Sequence, residues 1–314
     1  MTFDQPLSFV PLYQERVWGG RAFEESLGRS LPSPNLYGEA WEMVDRPEAQ
    51  SLVAFGEFES VSLNALWNKE RERVFGLRPP AGDRFPILAK ILDARETLSV
   101  QVHPPEGIAA RLGGEPKTEM WYVMDAQPHA CIYAGFQQGV GRSQFEAALA
   151  AGELEGLLHR IPVKKGDAIF IPSGRCHAIG GGCLIAEIQQ NSDTTYRVFD
   201  WNRLGADGRP RQLHVRESLE SIDFSDYEPG LIRARGSRLV ENECFVVDCL
   251  EISQSRTFLP EEAGLGMVLE GSVRCGGGVF VKGASFWMPQ EARLEIEGLE
   301  VENRLLFTGF GRSL

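Results

Sequence analysis

Four residues set far apart along the chain share one chemistry: Gln101, His103, Glu119 and His177. Two imidazoles, a carboxylate and an amide oxygen form a mixed nitrogen and oxygen donor set. Such a set suits a borderline divalent cation, zinc first. With no thiolate among them, the set reads as a catalytic site with an open coordination position rather than a closed structural one. Each residue alone is weak evidence, because a lone histidine is more often a satisfied core residue. Their combination with the segment 166–177, GDAIFIPSGRCH, is much more specific.

That segment reads as a strand over 167–171, stopped by Pro172. Gly174 supplies the positive φ of a sharp turn, and His177 begins the next strand. In 97–103 the side chains alternate: Leu98, Val100 and Val102 on one face, Ser99, Gln101 and His103 on the other. Three polar groups on one face of an otherwise apolar strand predict a polar pocket inside a barrel. In 183–189 the same alternation groups Cys183, Ile185, Glu187 and Gln189 on one face.

The elements that must hold these residues are short. Apolar spacing predicts a helix over 57–76. Residues 85–92 and 97–102 read as paired strands, with Asp93-Ala-Arg-Glu96 as their turn. A helical turn is expected at 105–112, strands at 120–124 and 130–133, and a helix at 143–151 with Ser143 as N-cap and Gly152 as its end. From 161 onward short strands alternate with Gly, Pro, Asn and Asp. Further strands are expected at 244–252, 266–270, 272–275 and 284–289, with 268–273 as a hairpin. The segment 281–289 echoes 163–172: Lys-Gly, an apolar strand, then Pro. The echo lacks the following Gly and His, carrying Gln290-Glu291-Ala292 instead. The pattern predicts a mainly β chain of two jelly-roll barrels with a few short helices. The domains expected are 1–230, bearing the metal site and an N-terminal extension, and a smaller 231–314 without one.

Composition narrows the partners. The chain has 314 residues, 43% apolar and 24% charged, with a net charge of −12. That charge disfavours nucleic acid and anionic membrane, but a local Lys and Arg cluster can still bind a small anion. No apolar run reaches the ~18 residues of a spanning helix, and the N-terminus has no secretory pattern, so a cytoplasmic protein is expected. Six cysteines, at 131, 176, 183, 244, 249 and 275, include no CxxC pair and read as reduced thiols. Cys176 alternates away from His177 and is a poor ligand candidate.

The pattern Gly166-(five residues)-Pro172-x-Gly174-x-x-His177 is similar to the second signature motif of the cupin superfamily. The first cupin motif is altered, with Gln101-Val-His103 in place of HxH and Glu119 farther away. Leu98-Ser-Val-Gln-Val-His-Pro104, Lys117-Thr-Glu-Met-Trp-Tyr122 and Gln189-Gln-Asn-Ser-Asp-Thr-Thr-Tyr-Arg-Val-Phe-Asp200 resemble type I mannose-6-phosphate isomerases, short bacterial form. So do Trp18-Gly-Gly20 and Gly38-Glu-Ala-Trp-Glu42. The resemblance implies zinc-dependent interconversion of mannose 6-phosphate and fructose 6-phosphate, within mannose metabolism. It implies one zinc per chain on Gln101, His103, Glu119 and His177, an essential Arg197, and active-site roles for Glu187 and Lys117. Glu187 is the first candidate for the proton-transferring base; its plain alternative is a carboxylate that orients a ligand or pairs with Arg197. Arg197, Lys117 and Lys90 are candidate cations for phosphate or developing charge, and Ser99 a candidate phosphate contact. Trp18, Trp41, Trp121 and Tyr122 read first as core. A small sugar phosphate is the expected partner, and a monomer or weak homo-oligomer the expected state. A cupin oxygenase would more often keep HxH and needs no phosphate cation. A binding protein without activity has no need of Glu187 and Arg197 together.

Overall fold

Strand sequences such as ILAKILDA and CLIAEIQQ are apolar on both faces, and both are buried along nearly their whole length. A sheet covered on both sides demands that pattern. The computed structural model describes residues 5–76, 79–205, 208–254, 257–258, 263–290 and 295–311.

The strands begin with β1 (Leu12–Gly20), β2 (Tyr37–Met43), β3 (Asp45–Arg46), β4 (Ala49–Gln50), β5 (Ile87–Ala94), β6 (Val100–Val102) and β7 (Glu119–Ala126). Next come β8 (Cys131–Phe136), β9 (Leu158–Pro162), β10 (Ala168–Ile171), β11 (His177–Ile179), β12 (Cys183–Gln190) and β13 (Tyr196–Phe199). The C-terminal strands are β14 (Arg238–Glu241), β15 (Phe245–Glu251), β16 (Thr257–Phe258), β17 (Gly264–Glu270) and β18 (Ser272–Cys275). They end with β19 (Gly278–Val281), β20 (Ser285–Met288), β21 (Glu295–Gly298) and β22 (Arg304–Phe310). The helices are short: α1 (Ala22–Glu25), α2 (Leu63–Lys69), α3 (Arg71–Phe75), α4 (Glu106–Ala109), α5 (Arg142–Ala151) and α6 (Val215–Ser221). None of the described helices is long and apolar enough to cross a membrane.

The chain forms two compact units. The larger comprises Tyr13–Ala40 and Ile91–Ile232; the smaller comprises Met1–Leu12, Trp41–Lys90 and Arg233–Leu314. The sequence boundary at 230 falls beside the break at 232, while residues 41–90 group with the C-terminal strands. Packing accounts for that grouping. Trp67, Phe75 and Phe85 interleave with Trp287 and Phe310, with ring centroids 5.1–5.9 Å apart. The expected helix at 57–76 is two pieces, α2 and α3, because Glu70 leaves helical geometry between them (φ −121°, ψ 21°).

Both units are jelly rolls. In the larger, a sheet ordered β1-β2-β5-β12-β7-β10 faces one ordered β13-β6-β11-β8-β9. Between them Trp121, Val123, Ile132, Ala134, Ile169, Ile179, Cys183 and Ile185 form a dry core. The outer face of the five-stranded sheet is covered by Phe145, Leu154 and Ile222 from the α5 and α6 regions. The expected hairpin of 85–92 with 97–102 is not formed: β5 and β6 lie in different sheets. The 268–273 hairpin fails likewise, since β17 joins the five-stranded and β18 the four-stranded C-terminal sheet. In both cases the connection is a jelly-roll corner that carries the chain from sheet to sheet, and Gly271 takes a positive φ of 71° at the second. Helix α5 is capped by Gly141, not Ser143; the Gln144 side chain accepts from the Gly141 N–H at 3.0 Å, a cap that supersedes the expected serine.

The internal echo has a structural counterpart. Gly166 and Gly283 both hold positive φ, 93° and 85°, just before β10 and β20. β10 pairs with β7, placing Ile171 opposite Glu119, and β20 pairs with β17, placing Met288 opposite Gly264. The C-terminal equivalent of Glu119 is therefore Gly264. A Cβ at Gly264 would lie 2.3 Å from the Phe307 ring, so an aromatic side chain fills the space that holds a carboxylate in the first copy. Residues 291–294, where the second copy loses its histidine, lie outside the described set.

Trp18-Gly19-Gly20 is also explained by packing. A Cβ at Gly19 would meet the Gly38 backbone at 2.4 Å, and one at Gly20 would meet Asp93 Oδ2 at 2.6 Å. Asp93 is buried and accepts a hydrogen bond from the Ala22 N–H at 2.7 Å. Burial pushes its carboxyl up to about 6 from 3.8. A raised folded pKa means that the stabilising contribution is whole below the unfolded pKa and is lost as pH rises through 6. Asp93→Asn should therefore gain on the wild type by about 2 kcal/mol between pH 4 and pH 7 in denaturant unfolding. An equal effect of the substitution at both pH values would contradict this.

Candidate active site and metal centre

The dry core of the larger unit turns polar toward one end. Along β7 the inward side chains pass from Val123 and Trp121 to Glu119; along β12 they pass from Cys183 and Ile185 to Glu187 and Gln189. Gln189 pairs with Glu119, and Glu187 with Trp121, so all four face one way. On the opposing sheet Gln101 pairs with both His177 and Arg197, which puts these three on the facing surface. The tight turn before His177 is as expected: Gly174 has a φ of 93° and donates its N–H to the His103 carbonyl at 2.9 Å.

His103, Glu119 and His177 converge, with one donor atom from each lying within 4.8 Å of the others. His103 Nε2 is 3.4 Å from Glu119 Oε2, and His177 Nε2 is 3.5 Å from Glu119 Oε1. Each imidazole has its Nδ1 2.8 Å from a backbone carbonyl, Thr194 for His103 and Arg175 for His177. A carbonyl only accepts, so each Nδ1 carries the hydrogen and each Nε2 presents a bare lone pair. Burial moves both imidazoles toward neutrality: His103 lies below its ordinary range, and His177 falls to about 3. Lone pairs and a carboxylate thus face one another with no hydrogen between them, and among the described residues Nε2 of both histidines and Glu119 Oε1 lack hydrogen-bond partners. Only a cation or a bridging water reconciles that arrangement, so these residues fit a metal ion.

Lys117 completes the electrostatics. Its Nζ is buried 3.0 Å from Glu119 Oε2. Burial works against its charge, but Glu119, Glu187 and Asp193 together outweigh it and hold the ammonium above the usual lysine range. Burial would likewise raise the Glu119 carboxyl; Lys117 holds it well below the usual carboxylate range instead. Glu187 is buried, and its Oε2 accepts the Trp121 indole N–H at 3.0 Å. Arg197 donates to Ser99 Oγ at 3.3 Å and to the Gln212 carbonyl at 2.9 Å. Lys90 belongs to the smaller unit, where its Nζ lies 5.1 Å from the Trp41 ring centroid.

Three contributors escaped the sequence reading. Trp121, taken as core, orients Glu187 and sits 5.3 Å from the His177 ring. Thr194 acts through its backbone carbonyl, which no residue pattern discloses. Asp200 gathers Arg203 and Arg211, at 2.8 Å and 2.6 Å, beside Arg197; the Arg-rich stretch after TTYRVFD was the available signal. The cysteines are free, as expected. Cys176 is buried in the outer core with its thiol pushed up by burial, so it is no ligand.

Residues 7–130 match the family model described as phosphomannose isomerase type I, catalytic domain. Mannose-6-phosphate isomerase ManA of Bacillus subtilis strain 168 is 43% identical over 221 residues, covering 70% of this chain and 68% of that protein. The crystal structure of a Bacillus subtilis mannose 6-phosphate isomerase superposes with a TM-score of 0.83 at 32% identity, covering 98% of this chain and all of that one. A mannose 6-phosphate isomerase bound with zinc and yttrium, 18% identical over 98% of this chain and all of its own, shares the fold with a TM-score of 0.76. With likeness over this much of its length, the chain belongs to the type I phosphomannose isomerases.

Proposed function

We propose that the chain interconverts mannose 6-phosphate and fructose 6-phosphate, with one zinc ion held by Gln101, His103, Glu119 and His177. The observation that carries this reading is the convergence of two bare imidazole nitrogens on a buried carboxylate. Zinc suits two imidazoles with oxygen donors, and when bound it supplies a positive charge that polarises sugar oxygens. Gln101, paired across the ladder with His177, is the fourth donor in this reading.

The reaction moves a proton between C1 and C2 through a cis-enediolate. Glu187 carries the proton: the Trp121 indole fixes one carboxylate oxygen, which orients the other for transfer. Lys117, held protonated by its acidic neighbours, serves as a fixed cation rather than as the base. Arg197 faces the same interior and, with Ser99, meets the phosphate or the developing enediolate charge. The larger unit is thus the catalytic domain, and the C-terminal barrel, with Gly264 in the place of Glu119, is structural. A cytoplasmic monomer or weak homo-oligomer, supplying mannose 6-phosphate for GDP-mannose, accords with this reading.

Glu187→Gln tests the base. It keeps the shape and the indole contact but cannot take the proton. The turnover number should fall about 10²–10⁴-fold, with zinc content and thermal midpoint unchanged. Turnover near the wild-type value in the zinc-loaded variant would remove Glu187 from that role.

A further inference from the structure

We propose that Gln189 contacts the substrate, its side-chain oxygen accepting a hydrogen bond from a hydroxyl of the bound sugar. The proposal rests on the isomerase reading and adds to it a residue that reads the polyol.

Position comes first. Gln189 lies on β12 directly opposite Glu119 on β7, so their side chains leave the same face of the sheet. Directly opposed residues have Cβ atoms roughly 5 Å apart. Gln189 is thus a neighbour of the carboxylate on which the two imidazoles converge.

The amide is also fixed in orientation. Its Nε2 lies 2.7 Å from the Gln190 carbonyl and 2.7 Å from the Ser192 carbonyl. Both oxygens are acceptors, so the amino end must point at them and both of its hydrogens are committed. The carbonyl end then points away, with Oε1 buried and without a hydrogen-bond partner among the described residues. The side chain is fully buried, so solvent does not relieve it. A buried acceptor left bare is costly and calls for an explanation.

Among the described residues no surrounding donor reaches it, and the Lys117 ammonium lies against Glu119 at 3.0 Å. The His103 and His177 Nε2 atoms carry no hydrogen, and their Nδ1 hydrogens go to backbone carbonyls. Glu119 is ionised, and the Trp121 N–H is given to Glu187. A donor that arrives with the ligand completes the set, and a sugar brings hydroxyls. Being neutral, Gln189 adds recognition without disturbing the charge balance among Lys117, Glu119 and Glu187.

Gln189 also anchors the turn that carries Thr194, whose carbonyl holds His103, so the test must separate contact from positioning. Binding of a hexitol 6-phosphate, which cannot isomerise, and of its single-deoxy analogues is measured by calorimetry on the zinc-loaded wild type and Gln189→Met. The variant should bind the hexitol phosphate about three- to tenfold more weakly, with equal zinc content. For one deoxy analogue that penalty should vanish, because the hydroxyl that Oε1 accepts is already gone. If Gln189→Met does not fold, a crystal structure of the zinc-loaded wild type with the hexitol phosphate decides: a sugar hydroxyl within hydrogen-bond distance of Oε1 is expected, and none there overturns the contact. An equal penalty for every analogue, no penalty at all, or weakening that tracks lost zinc overturns the contact. Wild-type protein that binds none of these sugar phosphates overturns the isomerase reading, and this proposal with it.

Discussion

Glu119→Gln is expected to lose zinc and activity together and to destabilise the fold by about 3 kcal/mol. The carboxylate is buried between two imidazole nitrogens and the Lys117 ammonium, which lies 3.0 Å away. Neutralising it leaves a buried cation without its nearest partner, a defect that costs about 3–5 kcal/mol in buried pairs. The lower figure applies because Glu187 and Asp193 also act on Lys117. Adding Lys117→Met to Glu119→Gln removes the stranded charge. The double variant should recover most of the stability and none of the activity. Denaturant midpoints and zinc content measured on the three proteins decide the matter; an unchanged midpoint in Glu119→Gln would show that the pair is not the buried ion pair described.

Arg197→Ala is expected to lower kcat/KM by about 10³-fold while leaving zinc content unchanged. Arg197 is half-buried and its charge is disfavoured, first by burial and then by Arg211, with Arg203 and Arg16 adding to that effect and Asp200 opposing it. Asp200 is itself shared between Arg203 and Arg211. A surplus of positive charge beside Ser99 is poorly suited to a stabilising role and well suited to an incoming anion. Stability should therefore change by no more than about 1 kcal/mol on removal of Arg197, and its sign could favour the variant. Arg197→Lys keeps the charge without the planar fork and should restore only part of the rate. A large loss of stability or of zinc in Arg197→Ala would make the residue structural.

Much of the site is legible in residue types because it is built from strand alternation. A period of two puts Gln101 with His103, and Glu187 with Gln189, on inward faces whatever the sheet order. The Pro172 and Gly174 turn is legible because only certain backbones allow it, and the φ of 93° agrees. Sheet membership is not legible this way. Strand pairs separated by a short turn look like hairpins in sequence, and β5 with β6 and β17 with β18 are instead split across sheets. Nothing local distinguishes a hairpin turn from a jelly-roll corner. The contacts that fix the histidines are equally hidden, because Thr194 and Arg175 act through backbone oxygens. Trp121 illustrates a further limit: its ring belongs to the core, as expected, but its one polar atom serves Glu187.

The proposed role of a metal ion on His103, Glu119 and His177 is sugar-phosphate isomerisation. It is tested most directly by following purified protein with mannose 6-phosphate, and with glucose 6-phosphate for comparison, before and after chelation and after zinc is returned. Fructose 6-phosphate should form from mannose 6-phosphate, that activity should be lost with the chelator, and it should recover with zinc. Zinc-loaded, folded protein that leaves mannose 6-phosphate unchanged would contradict that role.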